Sequence, residues 1–267
     1  MKRNHYKVST NCSFVGGLMK LTLQEPRYLV EPLAVISELV NEIQFKIEKD
    51  QIEVVAIDPA NAALIVFKLL GSAFAEYSVE KPTVIALSLD NLKAVLKRTK
   101  PGDVLKLELD EEKNRLKVQI KGDSTRTFNL ALIDIKEKQQ KIPDLKFVAA
   151  IEAPAGLFEE AVNDMSVFGE SVAFFIEKNK FFLQAESNLN DAHVEFPQGE
   201  GIKIHTETNE VIKSRYSLEY LKKIVKGGKL SHSVHIQFAN DYPLKIGYSV
   251  KDKMQLETIL APRVSTE

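Results

Sequence analysis

A single cysteine, Cys12, leaves this chain of 267 residues without a disulfide framework, and nothing in it speaks for an oxidising compartment. No apolar run approaches the ~18–20 residues that a membrane-spanning helix needs. Lys2, Arg3 and Lys7 open the chain, but Ser13, Gly16 and Gly17 break the apolar stretch after them, which makes a signal peptide a poor reading. Residues 1–18 read as a disordered arm, and the first patterned segment begins at Met19. An excess of one charge is missing too. Thirty-six basic side chains against 37 acidic ones give a net charge of −1, so any nucleic-acid contact must come from local charge. There is no glycine loop to cradle a phosphate; Gly227-Gly228 reads as the C-terminal cap of a helix. His193 and His205 have no cysteine or acidic grouping at ligand spacing, and His232 and His235, though three apart, are parted by a strand whose Val234, Ile236 and Phe238 send His235 outward, which argues against a metal site. Asp110-Glu111-Glu112 reads as a hairpin turn rather than a catalytic pair. No catalytic residue and no cofactor is expected.

What the chain does have is itself, twice. Residues 156–238 fall on residues 27–109 at an offset of 129. Phe45-Lys46-Ile47-Glu48-Lys49-Asp50 matches Phe174-Phe175-Ile176-Glu177-Lys178-Asn179, and Ser88-Leu89-Asp90-Asn91-Leu92-Lys93 matches Ser217-Leu218-Glu219-Tyr220-Leu221-Lys222. A period of about 130 residues is too long for a solenoid unit and fits a duplicated domain. The expected division is an arm at 1–18, one domain at 19–132, a linker at 133–147 and a second domain at 148–267.

Each copy reads alike. Leu29, Leu33, Ile36 and Leu39 recur at helical spacing, matched by Phe158, Val162, Met165 and Phe168. Short alternating strands follow at 42–49 and 51–57, turning at Lys49-Asp50, with the second copy turning at Lys178-Asn179. A third strand is expected at 62–69, matched by 192–196. A second helix over 89–99 is matched by 218–225, and three more strands close each unit, at 103–109, 115–120 and 125–132 and at 233–239, 244–250 and 254–260. The expected fold is α+β: two domains, each an antiparallel sheet with two helices on one face.

The second helices carry the informative charges. Lys93, Lys97 and Lys100 lie at i, i+4, i+7, backed by Leu89, Leu92 and Leu96; Lys222, Lys226 and Lys229 repeat the stripe over Leu218, Leu221 and Val225. Arg98 and Lys223 widen the patches. One such stripe is usually a solvated face. Two at identical positions, with no aromatic interleaving, suit phosphate contact by charge alone. The first helices carry Glu31, Glu38, Glu159, Glu160 and Asp164, which repel a polyanion, so the grip should be partial and suited to sliding.

Further motifs then give a resemblance. Val55-Ala56-Ile57-Asp58-Pro59-Ala60-Asn61, Leu132-Ile133-Asp134, Lys141-Ile142-Pro143, Asp241-Tyr242-Pro243-Leu244-Lys245-Ile246 and Leu260-Ala261-Pro262-Arg263-Val264 together resemble a sliding clamp of the proliferating cell nuclear antigen family, of archaeal type, over residues 19–264. The resemblance implies a ring of three two-domain chains, alike or paralogous, with helices lining a hole that duplex DNA threads. It implies partners: DNA polymerase, flap nuclease, ligase and a clamp loader, in an archaeal cytoplasm at the nucleoid. It also implies that the lysine stripes face the phosphates. A pocket for glutamine-plus-aromatic peptides would be formed by Ile57, Asn61, Ala62, Leu64, Gln140, Ile142, Pro143, Pro243, Ile259, Leu260, Ala261 and Pro262. Subunits would join by edge strands carrying Arg126, Phe128 and Leu130 on one side and Ala192, Val194 and Phe196 on the other. Pattern alone would give Ile57 and Leu64 to the core. Gln140, the small Ala62 and the acidic helix at 156–168 depart from the family pattern and favour a specialised partner range or one role among different subunits. A checkpoint or repair subunit and a two-domain enzyme are the other readings, and no convergent polar site supports the enzyme.

Overall fold

Alternation of apolar and polar residues makes strands with one buried face, and it does so throughout this chain. The structure, a computed structural model, describes residues 19–134, 140–178, 180–187, 189–199 and 201–263. The expected arm with Cys12, residues 135–139 of the expected linker, Asn179 and Val264 lie outside the described residues.

The first half runs β1 (Met19–Leu23), α1 (Arg27–Ile36), β2 (Glu42–Ile47), β3 (Gln51–Ile57), β4 (Ala63–Leu70), β5 (Glu76–Val79), β6 (Thr83–Ser88), α2 (Leu89–Leu96), β7 (Val104–Asp110), β8 (Arg115–Lys121) and β9 (Thr125–Ala131). The second half repeats that order: β10 (Ala149–Pro154), α3 (Ala155–Met165), β11 (Ser171–Glu177), β12 (Lys180–Glu186), β13 (Asp191–Pro197), β14 (Lys203–Thr206), β15 (Ile212–Ser217), α4 (Leu218–Ile224), β16 (Ser233–Phe238), β17 (Leu244–Val250) and β18 (Met254–Leu260). The caps repeat as well. Ser37 and Ser166 end α1 and α3, each hydroxyl donating to a carbonyl three residues back, Ala34 at 2.8 Å and Asn163 at 2.7 Å. Ser88 and Ser217 stand at the N-caps of α2 and α4.

Three antiparallel sheets result. One has the order β5-β1-β7-β8-β9, one β13-β12-β11-β15, and the largest β14-β10-β16-β17-β18-β4-β3-β2-β6. The largest is where the halves join, through β18 and β4 with Leu260 opposite Ala63 and Leu256 opposite Phe67. Its first five strands copy β5-β1-β7-β8-β9, and its last four are the strands that β13-β12-β11-β15 copies. The duplication therefore leaves β9 and β13 as edges, although their counterparts β18 and β4 are paired to each other.

The helices pack on these sheets. α1 touches α2 and β4, while α3 touches α4, β10, β12, β13 and β16. Leu29, Leu33 and Ile36 are buried, as are Phe158, Val162 and Met165, each burial stabilising the fold by about 1.5–3 kcal/mol. The second half concentrates aromatics. Phe174 meets Phe158, Phe181, Tyr216 and Phe238 edge-on, at centroid distances of 5.2 to 6.1 Å.

Several expectations are corrected. α1 stops at Ile36 and α2 at Leu96, both short of the expected ends, so Leu39 reaches the core from a turn. Phe168, expected on the apolar stripe, lies past the end of α3 and is 40% exposed. Gly227-Gly228 is no left-handed cap: both lie in a 3-10 turn, Val225–Lys229, and Gly227 is required because a Cβ there would come within 2.6 Å of the Tyr248 ring. Strands β1, β5 and β6, and their copies β10, β14 and β15, go beyond the expected elements; they lengthen the sheets at both ends.

Candidate functional site

The α2 and α4 stripes are placed on the helix side as expected, but shorter helices change their character. Lys93 lies within α2; Lys97 caps it, and Arg98 and Lys100 lie in the turn after it. Lys222 and Lys223 end α4, and Lys226 and Lys229 belong to the 3-10 turn. Lys226, expected on a freely solvated face, is instead paired: its ammonium donates to Glu38 at 3.2 Å. Lys93 stands 3.8 Å from the other oxygen of Glu38. Lys223 pairs with Glu219 at 2.9 Å and lies over the Tyr220 ring. Burial would raise the Glu38 carboxyl, but the hydrogen bond and charge of Lys226, with Lys93 and Lys223 behind, hold it below the usual range. Lys97, Arg98, Lys100, Lys222 and Lys229 make no ion pair among the described residues. The two stripes thus match in position and differ in available charge.

The partner-pocket candidates divide. Ile57 is opposite Leu64 and Leu64 opposite Ile259, so β3, β4 and β18 bring these three into one row on one sheet face. Ala261 extends the row, its N–H donating to the Ala62 carbonyl at 2.8 Å. Pro243 precedes β17, whose Leu244 is opposite Leu260. Its loop is fixed by the Tyr242 carbonyl, which accepts from the Tyr216 hydroxyl at 2.8 Å and from Ser214 at 3.3 Å. Leu260 does not belong to the row: strand alternation turns it to the other face, where it is 1% exposed and part of the core. Leu64 is 9% exposed, so within the row it is mostly covered. Asn61 sits exposed in the β3–β4 loop at φ 56. On the connecting segment Ile142 is 47% exposed and Pro143 is exposed. The Gln140 side-chain oxygen is buried with no hydrogen-bond partner among the described residues. Pro262 is half-buried beyond β18.

Of the interface candidates, Phe128, Leu130, Ala192 and Val194 are half-buried on the edges β9 and β13. Phe196 is 1% exposed and belongs to the core instead. Arg126 is already engaged: it donates to Asp103 at 2.6 Å and to the Arg98 carbonyl at 2.7 Å, tying β9 to the turn that carries Lys97 and Lys100. Sequence reasoning missed Asp58 and Tyr220. Asp58, 4% exposed, accepts the Tyr220 hydroxyl at 2.6 Å across the join between the halves.

Two recesses lie on this surface. One of about 710 Å³ lies among α3, α4 and Glu38, lined by Glu159, Glu170, Lys222 and Lys226. Another of about 430 Å³ lies on the outer sheet beside Glu152, His205, His235 and Glu257. Among the described residues no hydrogen bond joins a serine of either recess to a histidine or carboxylate.

Comparison with known proteins follows the same division. The family model described as the proliferating cell nuclear antigen N-terminal domain matches residues 18–141, and that of the C-terminal domain matches residues 141–263. The chain is 36% identical over 229 residues to the DNA polymerase sliding clamp of Pyrococcus furiosus, covering 85% of this chain and 91% of that one. It is 31% identical over 247 residues to the DNA polymerase sliding clamp of Nanoarchaeum equitans, covering 92% and 99%. A crystal structure of PCNA from Thermococcus kodakaraensis superposes with a TM-score of 0.86 at 28% identity, covering 92% of this chain and all of that one.

Proposed function

The chain belongs to the proliferating cell nuclear antigen family, and from that premise we propose that it is a DNA polymerase sliding clamp, a non-catalytic processivity factor that encircles duplex DNA. Residues 19–132 and 148–267 act as two clamp units, and 133–147 connects them.

The observation that carries the reading is the pair of open edges. β18 and β4 pair inside the chain, and their counterparts β9 and β13 do not. An exposed edge is a hazard unless another strand covers it. The internal join supplies the register. Inward residues Leu256 and Thr258 of β18 correspond to Arg126 and Phe128 of β9, because Leu130-Ala131 corresponds to Leu260-Ala261. Phe67 and Ile65 of β4 correspond to Val194 and Ala192 of β13. Leu256 is opposite Phe67 and Thr258 opposite Ile65, so Arg126 should face Val194 of the next copy, and Phe128 its Ala192. Repetition of that join, alone or with paralogous chains, closes a ring of three.

The helix side then faces the hole, and Lys97, Arg98, Lys100, Lys222 and Lys229 contact phosphates without reading bases. The row Ile57–Leu64–Ile259, with Ala62, Pro243, Ala261, Pro262 and Ile142, seats the motif peptides of polymerase, flap nuclease, ligase and clamp loader. The site of action is the archaeal cytoplasm at the nucleoid. Primer extension on a long primed template tests the function: a cognate polymerase should make longer products per binding event when the chain and a loader are present. Product length that is unaffected would refute it.

A further inference from the structure

Among the described residues two side-chain pairs fasten the join between the halves, beside side-chain-to-backbone contacts of Ser72 with Asp252 and of Lys253 with Ser72. Asp58 opens the β3–β4 loop and accepts the Tyr220 hydroxyl, and also the N–H groups of Ala60, Ala62 and Ala63 at 3.0, 2.7 and 2.6 Å. Burial would raise its carboxyl, but Tyr220 and the three backbone donors outweigh burial and hold it below the usual range. The Tyr220 phenol, donating to that carboxylate and partly desolvated, is pushed up to about 12. A neutral hydroxyl therefore meets a full carboxylate over the ordinary pH range. The second fastening is Glu38 of the first half against Lys226 of the second.

The open end of the second half presents the same positions with other residues. Ser37 and Ser166 cap α1 and α3 in the same manner, so Glu38 and Leu39 correspond to Val167 and Phe168. Ser88 and Ser217 precede α2 and α4, so Tyr220 corresponds to Asn91 and Lys226 to Lys97. Asp58 and Ser187 each open a loop by donating a backbone N–H across it, to Ala63 at 3.0 Å and to Asn190 at 2.8 Å. Leu39, next to Glu38 at the internal join, is 7% exposed and its counterpart Phe168 is 40% exposed; Val167 is 68% exposed where Glu38 is half-buried. Phe168, Ser187 and Leu189 line an open recess of about 560 Å³. A position buried at one join and bare at the other marks a surface that a second copy covers.

We propose that the chain carries one seam in two versions: a locked one within the chain, fastened by Asp58–Tyr220 and Glu38–Lys226, and an unlocked one between copies, where Ser187 faces the partner's Asn91 and Val167 faces the partner's Lys97. The inference rests on the ring assembly proposed above. The seam between copies is held by strand pairing and apolar contact with neither side-chain pair, and the lack of those pairs sets how fast copies exchange. The same difference explains the unequal stripes: Lys97 lacks the carboxylate that occupies Lys226, and its charge stays available to phosphate.

Transplanting the lock tests this. Two fluorescently labelled pools of the chain are mixed and subunit exchange is followed by energy transfer. The triple variant Ser187→Asp, Asn91→Tyr, Val167→Glu should exchange roughly tenfold more slowly, the scale of a hydrogen bond to a charged group. A folded triple variant that forms rings and exchanges at the wild-type rate overturns the proposal. The reverse variant guards against misfolding of the triple. Tyr220→Phe should leave exchange within about twofold of wild type while increasing hydrogen exchange at β4 and β18, the signature of a loosened internal seam. If Tyr220→Phe instead speeds exchange between copies and leaves β4 and β18 protected, the lock is not internal and the proposal falls. A wild-type chain that never associates at any concentration, alone or mixed with paralogous clamp chains, would remove the ring assembly itself, which differs plainly from rings that exchange at an unchanged rate.

Discussion

Single side chains decide where this molecule is tight. Gly227 packs flat against Tyr248, which is 1% exposed, so Gly227→Ala must push a ring that has no room to move. The expected loss is roughly 1–3 kcal/mol, measured by urea unfolding; unchanged stability would contradict the packing. Lys97 and Lys226 occupy equivalent positions yet should respond differently to reversal. Lys97→Glu should weaken DNA association and lower the salt slope by about 0.9 for each phosphate that is no longer neutralised, with unfolding unaffected. Lys226→Glu sets a second carboxylate against Glu38 and should destabilise the fold as well. Equal effects of the two on melting temperature would argue against the Glu38 bridge. The Asp58–Tyr220 contact has its own pH window. Asp58 is lowered in the fold, so its contribution is present above the unfolded value and lost as pH falls through the folded one; Tyr220 is raised, so its contribution is present below ~10 and lost as pH rises towards about 12. The stability difference between wild type and Tyr220→Phe should therefore be flat from about pH 5 to 9 and shrink outside it. A difference that varies steeply near neutrality would point to another group.

Elements are unevenly legible in the sequence. The long β2–β3 and β7–β8–β9 runs alternate cleanly and can be read directly, and so can the helical stripes. β15 cannot: its sequence Ile212-Lys213-Ser214-Arg215-Tyr216-Ser217 buries a serine, Ser214, where alternation expects an apolar residue. β5 and β6 are short and split by Lys81-Pro82. Spacing alone overextends the helices because Leu39, Lys97 and Phe168 continue a helical period that the backbone has already left. The pairings that change the site are out of reach, since Glu38 and Lys226 are 188 residues apart and no local pattern joins them. The connecting segment is the element on which partner binding should turn. Ile142 is exposed there on backbone without regular structure, available to a ligand. Ile142→Asp should keep the assembly and weaken a glutamine-plus-aromatic peptide by several kcal/mol, enough to abolish micromolar binding in a calorimetric titration. Undiminished affinity would place the pocket elsewhere.

At the scale of the whole molecule the duplication does the organising. One unit, used twice, forms an internal join through β18 and β4 and leaves their counterparts β9 and β13 at sheet edges, where the proposed ring would pair them with neighbouring chains. Charge then sorts the surfaces, with cations beyond the ends of α2 and α4 and apolar residues on the outer row. A closed ring holds DNA by topology rather than affinity, and this is the claim to test. The chain, placed by its loader on a nicked circular plasmid, is passed through a sizing column at salt high enough to remove ordinary electrostatic binding, before and after one cut linearises the plasmid. Retention on the circle and loss from the linear form is the predicted result; equal retention on both, or on neither, would contradict the encircling clamp.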